Sequence, residues 1–181
     1  MKKKQDDSVE LHCDVPGLID TVIKLIRSAT DEDKRKLLQE YPELLSDAAD
    51  DVLKQVEEVH RSADRVQDAN SIDGLRFKLG RTRKYGFDHA CMEQVVLAAF
   101  INMPHDNPGG YLAQVTSYYP ELLRPEADRA MSALKEDLTS SKKEDAVMAI
   151  FLDVLSERVR AQRSRYAAMA QGNRQGKATG R

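Results

Sequence analysis

The sequence is poor in the residues that mark several common classes of protein. It has no tryptophan, two cysteines, nine glycines and six prolines in 181 residues, and aromatic residues make up 6%. The scarcity of glycine and proline argues against a sandwich or barrel, because those folds need turn residues at many points. The low aromatic content argues against a surface that stacks nucleic-acid bases. Cys13 and Cys91 are too few for a disulfide framework.

Long hydrophobic runs are missing as well. The longest run, residues 95–101, is much shorter than the roughly 20 apolar residues that cross a membrane, and it predicts a buried helix instead. The basic start of the chain, residues 2–4, is not followed by the apolar segment of a secretory signal. We therefore expect a cytoplasmic protein without a membrane contact.

A pentapeptide repeat is the most informative positive feature. Tyr41-Pro42-Glu43-Leu44-Leu45 recurs as Tyr119-Pro120-Glu121-Leu122-Leu123, 78 residues later. Apolar positions on both sides keep the same offset: Leu53 matches Met131, and Val56 matches Leu134. Register over about forty residues indicates two repeated units, each of which buries part of its apolar surface against a neighbour.

Within each unit the apolar residues follow the spacing of an α-helix. The pattern predicts an all-α fold of two tandem four-helix units, stacked as a short tetratricopeptide-like α-solenoid. Thr30 and Ser46 are candidate helix caps, residues 103–110 are a predicted loop, and the fourth helix is predicted from about Ser71 to Tyr85. The last helix is predicted from about Ser141, with a buried stripe that includes Val147, Ile150, Phe151, Val154, Leu155 and Val159 and extends towards Tyr166 and Met169.

These patterns divide the chain into four parts. Residues 1–14 are a predicted flexible arm, residues 15–86 the first unit, and residues 87–170 the second unit. Residues 171–181 have no apolar period and are rich in glycine and basic residues, so they predict a disordered basic tail.

The segment Leu37–Ala49, with its Pro-Glu-Leu-Leu motif, resembles helical segments of bacterial proteins with tetratricopeptide-like repeats that accompany CHAT-type, caspase-like peptidase domains. Lys84-Tyr85-Gly86 matches the element that closes such a unit, and the resemblance covers about residues 17–86 and 95–165. The second unit lacks the closing glycine. Because no peptidase domain is included, the resemblance implies a helical interaction module without catalysis.

Two histidine and cysteine pairs are the candidates for chemistry. His12-Cys13 and His89-Ala90-Cys91 have the residue types of a zinc site but not the Cys-x2–4-Cys spacing of structural zinc sites. Cys91 with either His89 or His105, and with Asp106 to orient the histidine, has the residue types of a nucleophilic triad, but no local motif accompanies them. His60 lies in an apolar stripe and is interpreted as a boundary residue. We therefore predict no metal, no cofactor and no catalytic residue.

Basic clusters are the remaining candidate sites, although the chain as a whole carries a net charge of only -2. The positions that we single out as contacts to nucleic acid or to an acidic partner are Arg76, Lys78, Arg81, Arg83, Lys84, Arg174, Lys177 and Arg181. Residues 31–58 hold ten acids and four bases, so acidic helices could instead neutralise the basic ones inside the fold. The alternative is a phosphate-binding surface.

Our leading functional hypothesis is a non-catalytic repeat protein, an adaptor that binds another protein or peptide. The alternative is a nucleic-acid-associated regulator that uses the basic fourth helix and the tail. A small enzyme built around Cys91 and His105 is the third hypothesis.

Overall fold

The computed structural model of the chain describes residues 15–140 and 146–178, and within them all regular structure is helical. The prediction of an all-α fold is confirmed for these residues; the predicted arm, 1–14, lies outside them. The α-helices are α1 (Leu18–Arg27), α2 (Asp31–Glu40), α3 (Asp47–Ser62), α4 (Val66–Tyr85), α5 (Phe87–Ile101), α6 (Pro108–Tyr118), α7 (Glu126–Ser140) and α8 (Ala146–Ala178). None of these helices is both long and apolar enough to cross a membrane.

The chain divides into two compact units, with the boundary between Phe87 and Asp88 at the start of α5. Unit 1 therefore contains α1 to α4, and unit 2 contains almost all of α5 together with α6 to α8. Each unit has a hydrophobic core of its own. The two units are described separately below.

Short polar side chains cap the N-termini of several helices. The Thr30 hydroxyl accepts the Asp33 N–H at 3.1 Å, and the Ser46 hydroxyl accepts the Ala49 N–H at 3.2 Å, as the sequence predicts. Asn107 does the same for Gly110 at 3.0 Å. Because Asn107 caps and Pro108 occupies the first turn, α6 begins inside the segment that we predicted as a loop, residues 103–110.

The two Pro-Glu-Leu-Leu segments form 3-10 helices, Pro42–Leu45 and Pro120–Leu123, with the same local geometry. Tyr41 has φ −127° and ψ 76°, and Tyr119 has φ −128° and ψ 74°. The N–H of each tyrosine donates to the carbonyl four residues earlier at 2.8 Å. The third residue of the motif, Leu44 or Leu122, is fully buried in its own unit. The proline ends one helix, and this leucine fills the junction with the next.

The cores of the two units use equivalent positions. Ala49, Leu53 and Leu44 are buried in unit 1, as are Ala127, Met131 and Leu122 in unit 2. Leu134 is buried and its counterpart Val56 is half-buried. The pairing of Leu53 with Met131 that the sequence predicts therefore holds in the structure.

The last helices of the two units correspond at an offset of 80 rather than 78. Helix α4 begins at Val66 and α8 at Ala146, so two more residues separate α7 from α8 than separate α3 from α4. The buried residues agree with this offset: Ile72, Leu75 and Leu79 in α4 correspond to Leu152, Leu155 and Val159 in α8.

In each unit one arginine of the last helix hydrogen-bonds to the end of the 3-10 turn, and the two arginines occupy equivalent positions. Arg83 donates to the Ser46 carbonyl and to the Asp47 carboxylate. Arg163, 80 residues later, donates to the Arg124 carbonyl, which follows the second turn, and to Asp128. These contacts extend the repeat beyond the apolar positions from which the sequence predicts it.

Three predictions about the last helices are wrong. Helix α4 begins at Val66 rather than near Ser71. Helix α8 begins at Ala146 and continues to Ala178, whereas the sequence predicts a disordered tail from residue 171. The stretch contains helix-favouring alanine, glutamine, arginine and lysine but also Gly172 and Gly176, which disfavour helix. The third error concerns burial, since four residues of α8 that the sequence predicts to be in the core are exposed: Val147, Ile150, Tyr166 and Met169.

Gly86 ends α4 in a conformation with φ 90° and ψ 160°, a region that residues with a Cβ rarely adopt. Open space surrounds the position, so an added Cβ would meet no neighbouring atom. We expect Gly86→Ala to lower the free energy of unfolding by about 1–2 kcal/mol through backbone strain alone. Denaturant unfolding tests this, with Gly74→Ala inside α4 as the control, which should be neutral or stabilising. Equal destabilisation by both changes would contradict the assignment to strain.

Candidate functional site

The basic cluster of α4 binds acidic side chains of its own unit. Arg76 donates to both carboxylate oxygens of Asp50 at 3.0 Å and to Glu57 at 2.8 Å. The hydrogen bond from Arg76 lowers the pKa of Asp50, and hydrogen bonds from Arg61 and Arg76 lower the pKa of Glu57. Arg76 is thus a structural bridge between α3 and α4.

The other predicted basic contacts of α4 are also engaged. Lys78 is 3% exposed, and its ammonium lies 2.6 Å from Asp31 of α2. Arg81 is buried and lies over the Tyr85 ring at 4.5 Å, and Lys84 lies 4.7 Å from the centre of the same ring. Together with the Arg83 contacts to Ser46 and Asp47, these interactions hold the cluster within unit 1.

The predicted contacts near the C-terminus lie beyond the described side chains. Arg174 and Lys177 belong to α8 by their backbone, but their side chains are outside the described part of the structure. Arg181 lies outside it entirely.

The histidine and cysteine candidates are distributed over α3, α5 and the loop before α6. The His89 Nε2 atom lies 2.9 Å from the Oε1 atom of the fully buried Glu93, so this histidine has a local partner one helical turn away. Cys91 is half-buried, and His105 and Asp106 are exposed. Among the described residues no group of three or more histidine, cysteine or acidic side chains is arranged to hold a metal ion; His12 and Cys13 are outside that part of the chain.

Helix α8 carries apolar side chains on an exposed face. Val147 is 60% exposed and Ile150 is 65% exposed, and the half-buried Val154 follows on the same side of the helix. At the offset of 80, the first two positions correspond to the polar Gln67 and Asn70 of α4. Unit 2 therefore presents valine and isoleucine to solvent where unit 1 presents amides.

The same side of α8 continues as a basic surface. Arg158, Ala161 and Arg165 follow Val154 at helical spacing, and all three are exposed. No ion pair joins Arg158 or Arg165 to an acid within residues 15–140 and 146–178. Lys78, which is equivalent to Arg158, is by contrast buried and paired with Asp31. We call residues 147, 150, 154, 158, 161 and 165 the α8 stripe.

A cleft of about 470 Å³ lies between α7 and α8. Ser156 lines this cleft at the position equivalent to Arg76, and Lys135 lines it at the position equivalent to Glu57. In unit 1 the long side chain of Arg76 crosses from α4 to α3. In unit 2 the short Ser156 makes a 3.5 Å contact with the Met131 sulfur, and Lys135 pairs instead with Asp153.

The α8 stripe is not predictable from periodicity, because its apolar members have the same spacing as core residues. The helical period predicts that Val147 and Ile150 are buried, whereas both are exposed. The signal that could have separated them is the repeat itself, because α4 has polar residues at those positions. Finding that signal requires the offset of 80, which the pentapeptide does not show.

The α8 stripe is therefore an exposed surface with an apolar half and a basic half, and its residue types supply contacts rather than reaction chemistry. Protein interfaces likewise have an apolar core and a polar rim, and they are enriched in arginine relative to the rest of the surface. A comparison of the chain with protein-family models, with curated proteins and with solved structures finds no match of any of the three kinds.

Proposed function

We propose that the protein is a non-catalytic helical-repeat adaptor, tetratricopeptide-like in its construction from repeated helical units, and that it binds another protein through the α8 stripe. The observation that carries the proposal is the exposure of Val147 and Ile150. The terminal repeat of a helical array needs a polar outer face to stay soluble. Exposed apolar residues on the last helix are instead typical of a surface that a partner covers.

The repeat supplies an internal reference for this surface. Gln67 and Asn70 show that the fold accepts polar residues at the equivalent positions of α4. The apolar residues of α8 are therefore not required by the architecture of the unit. The ion pairs of Arg76 with Asp50 and Glu57 and of Lys78 with Asp31 also favour the protein-binding hypothesis over the nucleic-acid hypothesis for that helix, since the charges of these two cations are already neutralised.

The test replaces the exposed residues of unit 2 by their unit 1 counterparts. We expect Val147→Gln combined with Ile150→Asn to reduce the capture of the partner at least tenfold, because two apolar side chains leave the interface. The change should leave the thermal unfolding temperature nearly unchanged, since both side chains are exposed. The measurement is quantitative mass spectrometry of proteins retained from cells of the source organism by the tagged full chain.

Val66→Gln is the matched control, because Val66 is also an exposed valine at the start of the last helix of its unit.

A photoreactive residue at position 150, compared with one at position 70, shows whether the retained protein lies on α8. The proposal fails if the double variant retains the same proteins as the wild type, or if crosslinking is equal at the two positions.

A further inference from the structure

The partner-binding surface has a charge pattern that restricts what can cover it. Its first half, residues 147, 150 and 154, is apolar, and its second half carries Arg158 and Arg165. These two arginines are seven residues apart, so they lie on one side of α8 about 10 Å from each other. The whole stripe is about 27 Å long. No acidic residue occurs from residue 158 to the end of the chain.

Unit 1 has a cation at the position equivalent to Arg158, and that cation is paired within the unit. Lys78, the counterpart of Arg158, is buried and receives the Asp31 carboxylate from the first turn of α2. An acidic residue at the beginning of a helix thus neutralises the cation in unit 1. In unit 2 the equivalent helix α6 contains no charged residue, and Arg158 is exposed. The acidic helix end that unit 1 provides internally is missing in unit 2.

We propose that the α8 stripe binds an amphipathic helix of another protein whose N-terminal half is acidic, an inference that rests on the proposed function. The partner's apolar residues cover Val147 and Ile150, and two carboxylates seven residues apart pair with Arg158 and Arg165. The partner helix is antiparallel to α8. In that direction its N-terminus lies beside the arginines, and acidic residues at a helix N-terminus are also favoured by the helix dipole.

The continuity of the two halves favours a protein helix over other anionic partners. A nucleic-acid backbone would pair with the arginines but would leave Val147 and Ile150 in water. A membrane-binding helix needs a broad apolar face, whereas the basic half of the stripe has only Ala161 between its arginines. Preferential binding of nucleic acid is therefore the alternative result that the experiment below distinguishes.

The experiment uses the full chain and three synthetic helical peptides. Each peptide carries leucines opposite Val147, Ile150 and Val154. It carries the same variable residue opposite Arg158 and opposite Arg165. Because the peptide is antiparallel to α8, these positions follow the spacing of the stripe in reverse order. The variable residues are glutamate, glutamine or lysine. We expect the glutamate peptide to bind about fivefold to tenfold more tightly than the glutamine peptide at low salt, and the lysine peptide to bind most weakly. Added salt should reduce these differences.

The variant Arg158→Gln with Arg165→Gln should remove the preference for glutamate and keep the binding of the glutamine peptide. Its matched control, Lys36→Gln with Lys54→Gln, removes two exposed cations of unit 1 and should keep the preference. Equal binding of the three peptides, or no binding of any of them, overturns the acidic-helix inference. Tighter binding of duplex RNA or DNA than of the glutamate peptide, with competition between them, overturns it in favour of phosphate.

The inference and the proposed function fail in different experiments. If position 150 crosslinks a protein but the peptides show no charge preference, the proposed function stands and the acidic helix is wrong. If Val147→Gln with Ile150→Asn retains the partner in full, the proposed function itself is wrong.

Discussion

Replacing Leu53 by alanine is expected to lower the free energy of unfolding by about 2–5 kcal/mol. Leu53 is fully buried in the core of unit 1, among residues of α1, α3, α4 and the first 3-10 turn. Removing its side chain loses apolar burial and leaves a cavity that the surrounding helices fill only in part. Urea unfolding followed by circular dichroism measures the change.

The adjacent Lys54 provides the control, because it belongs to the same helix but is exposed. Lys54→Ala should change the stability by less than about 0.5 kcal/mol. A loss below about 1 kcal/mol for Leu53→Ala would show that the core stripe of α3 is assigned to the wrong side of the helix.

Replacing Arg76 by methionine is expected to cost about 3 kcal/mol at neutral pH, the lower end of the range for breaking a buried ion pair. The side chain of Glu57 is 10% exposed, so the change leaves a carboxylate in a poorly solvated place. Asp50 loses both of its hydrogen bonds from the Arg76 guanidinium. The lower end applies because Asp50 itself remains partly in water.

The cost should depend on pH with a defined sign. The folded-state pKa values of Asp50 and Glu57 are lowered, so their contribution to stability is fully present above the unfolded pKa of about 4 and is lost as the pH falls through the folded values. The difference between wild type and Arg76→Met is therefore largest near neutrality and shrinks in acid. Ser156→Ala at the equivalent position of unit 2 should cost little at any pH. A difference that is constant from pH 7 to pH 3 would refute the assignment to the ion pairs.

The sequence predicted the parts of the fold that depend on local chemistry. Thr30 and Ser46 cap helices because their hydroxyls reach the backbone three residues later, and Leu53 and Met131 are buried because the repeat and the helical period agree on them. The exposure of Ile150 was not predictable from periodicity, since a helix can have apolar residues on two sides and the pattern does not say which side packs. The partners of Arg76 and Lys78 also required the structure, because they lie 19 to 47 residues away in the chain.

The extent of α8 is a separate case. Its residues after 170 lack an apolar period, and we expected that no packing would offset the entropy of ordering them. The structure continues the helix to Ala178, and intrinsic preference does not account for this, because Gly172 and Gly176 disfavour helix. An apolar period indicates which sides of a helix are able to pack against other elements. The loss of that period after residue 170 therefore does not determine where the helix ends.

The matching geometry of the two Pro-Glu-Leu-Leu turns has an evolutionary consequence. The backbone angles at Tyr41 and Tyr119 agree within about two degrees, yet the preceding helices have diverged from seven charged residues among ten in α2 to none among eleven in α6. A gene duplication would produce this result if the junction were under strong selection while the helix surfaces were free to change. Under such selection one copy keeps a charged helix that pairs with its own unit, and the other changes its surface without altering the scaffold.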